Sequence, residues 1–170
     1  GHFLSSENKN LGSGSGQQIV TWIPDKAKTS ALWIVREAHD EAICDAATPI
    51  TCGSKIRLVH VGTKKCLHTH GIPSPLSRQQ EITGFGEDGV GDTGDDWKVE
   101  CSTKVWMRDQ KVRLRHVDTG KYLGGSANVK FTQQNCGHSC PILHHLEAFG
   151  RKQSDDYSLV KVEMGVLLNK

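Results

Sequence analysis

No apolar run in this 170-residue chain approaches the roughly 18–20 residues that a membrane-spanning helix needs, and Gly1 is followed by neither a charged nor an apolar leader segment. No insertion into a membrane is expected. A strong charge of one sign is missing too: 21 Lys and Arg against 19 Asp and Glu leave +2, too little for counterion release to drive binding to nucleic acid. The absence of a Cys-x-x-Cys pair removes the usual spacing of a thioredoxin-like centre or a zinc ribbon. Without an Asn-x-Ser/Thr triplet, no N-glycosylation acceptor marks a secretory route. No glycine-rich loop followed by Lys-Ser/Thr offers a phosphate cradle. Gly12-Ser-Gly-Ser-Gly16 matches the letters of a nucleophile elbow, but it lies between β-like runs and not at a strand-to-helix turn. Catalysis is therefore not expected, and no catalytic residue, metal ligand or cofactor is assigned.

What is present begins with six cysteines, Cys44, Cys52, Cys66, Cys101, Cys136 and Cys140, an even number that points to disulfides and an oxidising compartment. Apolar content is only 36%, yet Trp22, Trp33, Trp97 and Trp106 are spread along the chain and can anchor a core. The length suits one domain, residues 1–170.

The chain is also repetitive. Lys55-Ile-Arg-Leu-Val-His-Val61 alternates apolar and polar residues with period two, and Lys111-Val-Arg-Leu-Arg-His-Val117 does the same. With an offset of 56, eight of the thirteen positions from Lys55 to Leu67 are identical in the later copy, among them Arg57/Arg113, His60/His116, Thr63/Thr119 and Lys65/Lys121. Farther along the unit, Gly16-Gln-Gln-Ile-Val-Thr21 matches Arg78-Gln-Gln-Glu-Ile-Thr83, and each leads to a tryptophan-bearing strand at Trp33 or Trp97. The last copy loses its Gln-Gln element and carries Tyr157 near the tryptophan position. A period near 60 with about four strands per unit predicts an all-β chain, a β-trefoil of three stacked units, with no substantial helix. The units span about 1–40, 44–101 and 106–168. Aligning His2-Phe-Leu-Ser-Ser6 with Cys66-Leu-His-Thr-His70 leaves the first unit without its opening strand.

These residues carry a resemblance. Gly12-Ser-Gly-Ser-Gly-Gln-Gln-Ile-Val-Thr21, Leu67-His-Thr-His70, Phe85-Gly-Glu-Asp-Gly-Val-Gly-Asp92 and Asp95-Asp-Trp97 resemble the MIR repeats of the stromal cell-derived factor 2 family. The likeness runs through Arg115 and weakens across Ala127 to Gly150, a cysteine-bearing insertion. It implies a β-trefoil in the endoplasmic reticulum lumen, or secreted. It also implies a non-catalytic role in protein quality control beside a DnaJ-type co-chaperone and the lumenal Hsp70, with unfolded or O-mannosylated proteins as clients. The closing Leu168-Asn-Lys170 carries no retrieval tetrapeptide.

Within a trefoil unit the first and fourth strands are antiparallel neighbours, which places Cys52 near Cys101, although Cys44 competes for the same partner. Cys136-Gly-His-Ser-Cys140, followed by His144 and His145, has zinc-like donors, but a small loop disulfide is the simpler reading in an oxidising lumen. Cys66 reads as a half-buried thiol. His68, His70, Gln79 and Gln80 form a candidate ligand groove for a mannose or O-mannosyl glycan; the alternative is that they cap hairpin backbone groups. Glu87, Asp88, Asp92, Asp95 and Asp96 lack EF-hand spacing and read as an exposed acidic loop. Lys55, Arg57, Lys111, Arg113 and Arg115 read as a solvated strand face.

Overall fold

The structure, a computed structural model, describes residues 1–25 and 28–165. Among these the period-two segments form strands β1 (Phe3–Asn10), β2 (Gln18–Ile23), β3 (Trp33–Glu37), β4 (Lys55–His60), β5 (Cys66–Pro73), β6 (Gln80–Phe85), β7 (Trp97–Glu100), β8 (Arg113–His116), β9 (Tyr122–Gly124), β10 (Leu146–Glu147) and β11 (Phe149–Arg151). The only α-helix among the described residues is one turn, α1 (Gln133–Cys136), inside the insertion. No helix among them is long and apolar enough to cross a membrane. The fold is all-β. The closing tripeptide and the end of the third unit at residue 168 lie outside the described residues.

Every pairing is antiparallel. Strand β4 bonds to β5 and β7, β5 to β6, β6 to β11, β11 to β9, β9 to β8, and β8 to β7. Seven strands thus close a hydrogen-bonded circuit, which removes their free edges. Strand β2 attaches to β6, with β1 and β10 on β2, and β3 attaches to β4.

Side-chain bonds recur from unit to unit and fix the true alignment. The indole of Trp33 donates to the Leu4 carbonyl at 2.9 Å, and that of Trp97 donates to the Leu67 carbonyl at 2.9 Å. Leu4 therefore corresponds to Leu67, one residue away from the alignment that pattern matching favours. That slip decides which serine stands where the second unit has His68; it is Ser5, and both Ser5 and Ser6 are buried. In the third unit the 3₁₀ turn Asp156–Ser158 matches Thr93–Asp95 ahead of Trp97. Val160 thus takes the tryptophan's place, and Tyr157 lies in the turn, 56% exposed.

A second recurring network joins one unit to the next. The Gln18 amide donates to Ser6 at 2.8 Å and to Thr63 at 2.7 Å, while the Gln80 amide donates to Thr69 at 2.9 Å and to Thr119 at 2.8 Å. Thr63 and Thr119 lie 2.9 and 2.8 Å from the Nδ1 atoms of His60 and His116, whose Nε2 atoms reach the Ser30 and Gly94 carbonyls at 2.9 Å each. Because the threonine N–H also donates to Nδ1, each imidazole is neutral and carries its proton on Nε2. The Gln-Gln element and the distant His-x-x-Thr turn are thus two ends of one interaction.

The main core gathers Val20, Ile82 and Ala148 from matching strands of the three units with Leu58, Leu67, Trp97, Leu114 and Leu123, each large side chain contributing about 1.5–3 kcal/mol on burial. Ile19, Phe131 and Ile142 form a second cluster that fastens the insertion. Cys52 and Cys101 are joined by a disulfide with Cα atoms 5.4 Å apart, and Cys136 and Cys140 by another at 5.3 Å. Cys44 is a free, exposed thiol.

Three surface readings are corrected. Cys66 is fully buried, not half-buried; burial and then the adjacent Asp95 carboxylate push its thiol up to about 12. Asp95 and Asp96 are buried as well: Asp95 accepts from the Asp92 N–H at 2.9 Å and Asp96 from the His39 N–H at 2.7 Å. Only the outer part of the acidic run is a loop surface. Arg57 and Arg113 do not simply face solvent, since Arg57 donates to the Glu37 and Gly89 carbonyls at 2.7 and 2.9 Å, and Arg113 to the Ser158 hydroxyl at 3.1 Å.

Candidate functional site

Two shallow grooves of about 340 and 410 Å³ lie at the junctions between consecutive units. The first is lined by Gln17, Gln18, Lys65, Gly84, Phe85 and Glu87. The second is lined by Arg78, Gln79, Gln80, Lys121, Gly150 and Lys152. They are the same groove twice, because Gln17/Gln79, Gln18/Gln80 and Lys65/Lys121 are the repeat identities read from the sequence, and Gly84 and Gly150 face Gln18 and Gln80 across β6 and β11. Glycine leaves room in both floors. A Cβ on Gly84 would stand 3.1 Å from the Lys65 Cβ and 3.2 Å from the Gln18 amide nitrogen, and one on Gly150 would stand 3.1 Å from both the Gln80 and Lys121 Cβ atoms.

Each groove thus presents a lysine beside a pair of glutamines. Gln17 accepts from the Thr83 hydroxyl at 2.6 Å, and Gln18 and Gln80 are committed to the inter-unit network, so Gln79 is the glutamine most exposed to a ligand. At the third junction Leu146 replaces the glutamine and Trp22 replaces the glycine, its indole donating to the Gly124 carbonyl at 3.0 Å.

The four residues expected to share one groove divide between two places. Gln79 and Gln80 line the second groove. His68 and His70 turn instead toward the Asp92–Asp95 turn. The His68 ring is 1% exposed, and its Nδ1 lies 2.7 Å from the Asp95 carboxylate, itself fully buried. His70 is exposed, and its ring meets that of His68 edge-on with centroids 4.2 Å apart. Sequence reasoning missed Lys65, Lys121, Gly84 and Gly150 as groove residues. Both lysines lie in the thirteen-residue repeat, but a repeated lysine marks a shared scaffold position as readily as a groove.

Two buried carboxylates hold the hairpin loops. Glu81 accepts from the Ser15 hydroxyl at 2.5 Å and from its N–H at 3.4 Å, which fixes the Gly12–Gly16 turn. Gly14, at φ +62°, has no room for a side chain against that carboxylate. Glu147, at the matching place in the third unit, accepts from the Ser74 hydroxyl at 2.8 Å and from the Leu76 and Ser77 N–H groups at 2.6 and 3.0 Å. Cys136 and Cys140 offer no thiolates, being joined to each other, and His145 sits 2.9 Å from the Thr21 hydroxyl.

With this geometry in place, comparison with known proteins is decisive. The MIR domain family model matches residues 3–135. The chain belongs to the stromal cell-derived factor 2-like family of MIR-domain proteins. It is 41% identical over 160 residues to a stromal cell-derived factor 2-like protein of Dictyostelium discoideum, covering 94% of this chain and 72% of that one. It is 45% identical over 165 residues to stromal cell-derived factor 2-like protein 1 of Bos taurus, covering 97% and 71%. Among solved structures it resembles the SDF2-like protein of Arabidopsis thaliana, with a TM-score of 0.81 at 35% identity and coverage of 92% and 82%. Part of the S. cerevisiae protein O-mannosyltransferase Pmt1-Pmt2 complex bound to the sugar donor is similar with a TM-score of 0.74 at 27% identity, covering 92% of this chain and 22% of that one. The designed 3-fold symmetric protein ThreeFoil shares the fold alone, at 15% identity, a TM-score of 0.56 and coverage of 94% and 88%. The matched region of this family member ends within α1, just before the Cys136–Cys140 bridge.

Proposed function

We propose that this stromal cell-derived factor 2-like chain is a non-catalytic β-trefoil, its first unit short of an opening strand, that acts as an adaptor in protein folding quality control. The polar groups that recur between units carry this reading, because His60, His116, Gln18 and Gln80 are consumed in holding the scaffold. Recognition is left to loops and shallow grooves on a rigid frame, which suits protein partners more than turnover of a small substrate. Two disulfides favour an oxidising compartment, the endoplasmic reticulum lumen or the exterior. The partners in this reading are a DnaJ-type co-chaperone and the lumenal Hsp70, with unfolded client proteins.

A second reading is favoured by the duplication of the groove. Two equivalent polar sites with matched lysines suit a ligand with repeated hydroxyl groups, such as a mannose or O-mannosyl glycan, and similarity to part of an O-mannosyltransferase complex points the same way.

One experiment separates the two. The purified protein, and a Lys65→Ala/Gln79→Ala/Lys121→Ala variant whose grooves have lost these polar side chains, are used to capture proteins from lumenal extract with and without competing mannosides. Recovery of the co-chaperone and Hsp70 by both proteins, regardless of sugar, supports the adaptor. Capture of glycoproteins alone, released by mannoside and lost in the variant, overturns it in favour of the glycan.

A further inference from the structure

We propose that His68, His70 and Asp92 form a binding site for a zinc ion in the second unit. One donor atom from each of the three lies within 4.8 Å of the other two, so that a small closing movement brings all three onto a single ion about 2.0–2.2 Å from each. Two imidazoles and one carboxylate are a donor set that zinc accepts, with a fourth position left for water or an incoming ligand. Because His70 is exposed and Asp92 only half-buried, that fourth position opens to solvent.

An independent observation comes from the buried histidine. His68 is 1% exposed, its Nδ1 lies 2.7 Å from the fully buried Asp95 carboxylate and 3.7 Å from the Asp92 carboxylate, and its Nε2 has no hydrogen-bond partner among the described residues. An orphaned buried nitrogen costs about 1–3 kcal/mol. The same arrangement, with a carboxylate fixing one ring nitrogen and the lone pair free on the other, is how proteins orient a metal-ligating histidine. Asp95 is fixed in turn by the Asp92 N–H, and the Asp92 side chain accepts from Gly94 N–H at 2.8 Å.

The internal repeat supplies the control. The fold places equivalent positions in all three units, yet the first has Ser5 and Glu7 where the second has His68 and His70, and the third has Gly124 and Ser126. In the first unit the buried position is satisfied by an ordinary bond, Ser5 to Ser30 at 2.8 Å. The scaffold therefore does not require histidines there. Gly94 makes room for them: a Cβ at this position would stand 2.5 Å from His68 Cε1, 2.8 Å from His70 Cε1 and 2.9 Å from Asp92 Oδ1, whereas Ser30 and Tyr157 carry side chains at the matching turns.

The test uses the full chain in a Cys44→Ser background, disulfides intact and freed of metal by chelator, titrated calorimetrically with zinc and spectroscopically with cobalt. The expected result is one equivalent bound, a ligand-field spectrum without a thiolate charge-transfer band, and a raised melting temperature. His70→Ala and Asp92→Asn, both solvent-accessible changes, are expected to abolish binding while the circular dichroism spectrum stays the same. Asp95→Asn is expected to weaken it about 10- to 100-fold through loss of the orienting carboxylate, and His144→Ala/His145→Ala to leave it unchanged. Absence of stoichiometric zinc binding, retention of full affinity in both His70→Ala and Asp92→Asn, or a thiolate band would each overturn the proposal.

Discussion

The side-chain amide of Gln80, in the second unit, donates to the hydroxyl of Thr119, in the third, at 2.8 Å. Thr119 in turn serves His116, whose own Nε2 returns to the Gly94 carbonyl in the second unit. The bonds run as one chain from Thr69 through Gln80, Thr119 and His116 to Gly94, with only Thr119 exposed, so removing a buried member takes a partner from its neighbour.

Replacing Gln80 with Leu, the residue found at the matching place in the third unit, is expected to cost about 1–3 kcal/mol, because the buried Thr69 hydroxyl then loses its donor, while the exposed Thr119 can turn to water. The urea midpoint should fall with no change in slope. An unchanged midpoint would mean that water replaces the amide.

The pH dependence has a definite sign. Burial, and then the Lys64 ammonium, hold the His60 pKa below its usual value, against the Ser30 carbonyl, which favours the protonated ring. A histidine whose folded pKa is depressed binds its proton more readily in the unfolded chain. The stability it contributes is complete above the unfolded value near pH ~6.5 and is lost as pH falls from there toward the folded value. Melting temperature against pH should decline on acidification through that window, and His60→Asn should flatten the decline.

Of the two disulfides, Cys52–Cys101 should matter more. It spans 49 residues of sequence whereas Cys136–Cys140 spans four, so the chain-entropy model gives about 4 kcal/mol for the long loop and about 2 for the short one. Paired Cys→Ser variants compared by denaturant melts in oxidising buffer would check the order.

Glu147→Ala should loosen one loop more than the whole. Its carboxylate supports Ser74, Leu76 and Ser77, and removal of bonds to a charged group typically costs about 1.5–3 kcal/mol. Hydrogen exchange at the Leu76 and Ser77 amides is expected to accelerate; unaltered exchange there would show that the turn holds itself.

Much of this was legible in the residues. Alternation around Ile56–Val61 and Val112–Val117, with eight identities in thirteen, gave strands and repetition, because a period-two pattern has one physical solution when one face is buried. Strand order brought Cys52 near Cys101 but left Cys44 competing, and the structure joins Cys52 to Cys101 and leaves Cys44 free. The alignment of β1 did not: Ser5 and Ser6 are equally short and polar, and only the Trp33 indole on the Leu4 carbonyl decides which serine matches His68. Burial of Asp95 and Asp96 was illegible for a related reason, since a run of acids and glycines reads as solvated until its partners, His68 and the His39 N–H, arrive from remote segments. His68 and His70 were picked out as functional candidates together with the glutamines, but proximity in sequence could not reveal that they face a different turn.

The bonds between units set a limit on how this chain can be cut or rebuilt. Gln18 needs Thr63, Gln80 needs Thr119, Glu81 holds the Ser15 loop, and Glu147 holds the Ser74–Ser77 turn, so each third of the molecule completes another. A single excised unit would carry donors and acceptors whose counterparts lie in its neighbour, and a fusion of two would leave one set exposed. Unlike a solenoid, which can lose a repeat and merely become shorter, this architecture should melt as one body, and evolution could alter its loops freely while being unable to change its number of repeats one at a time.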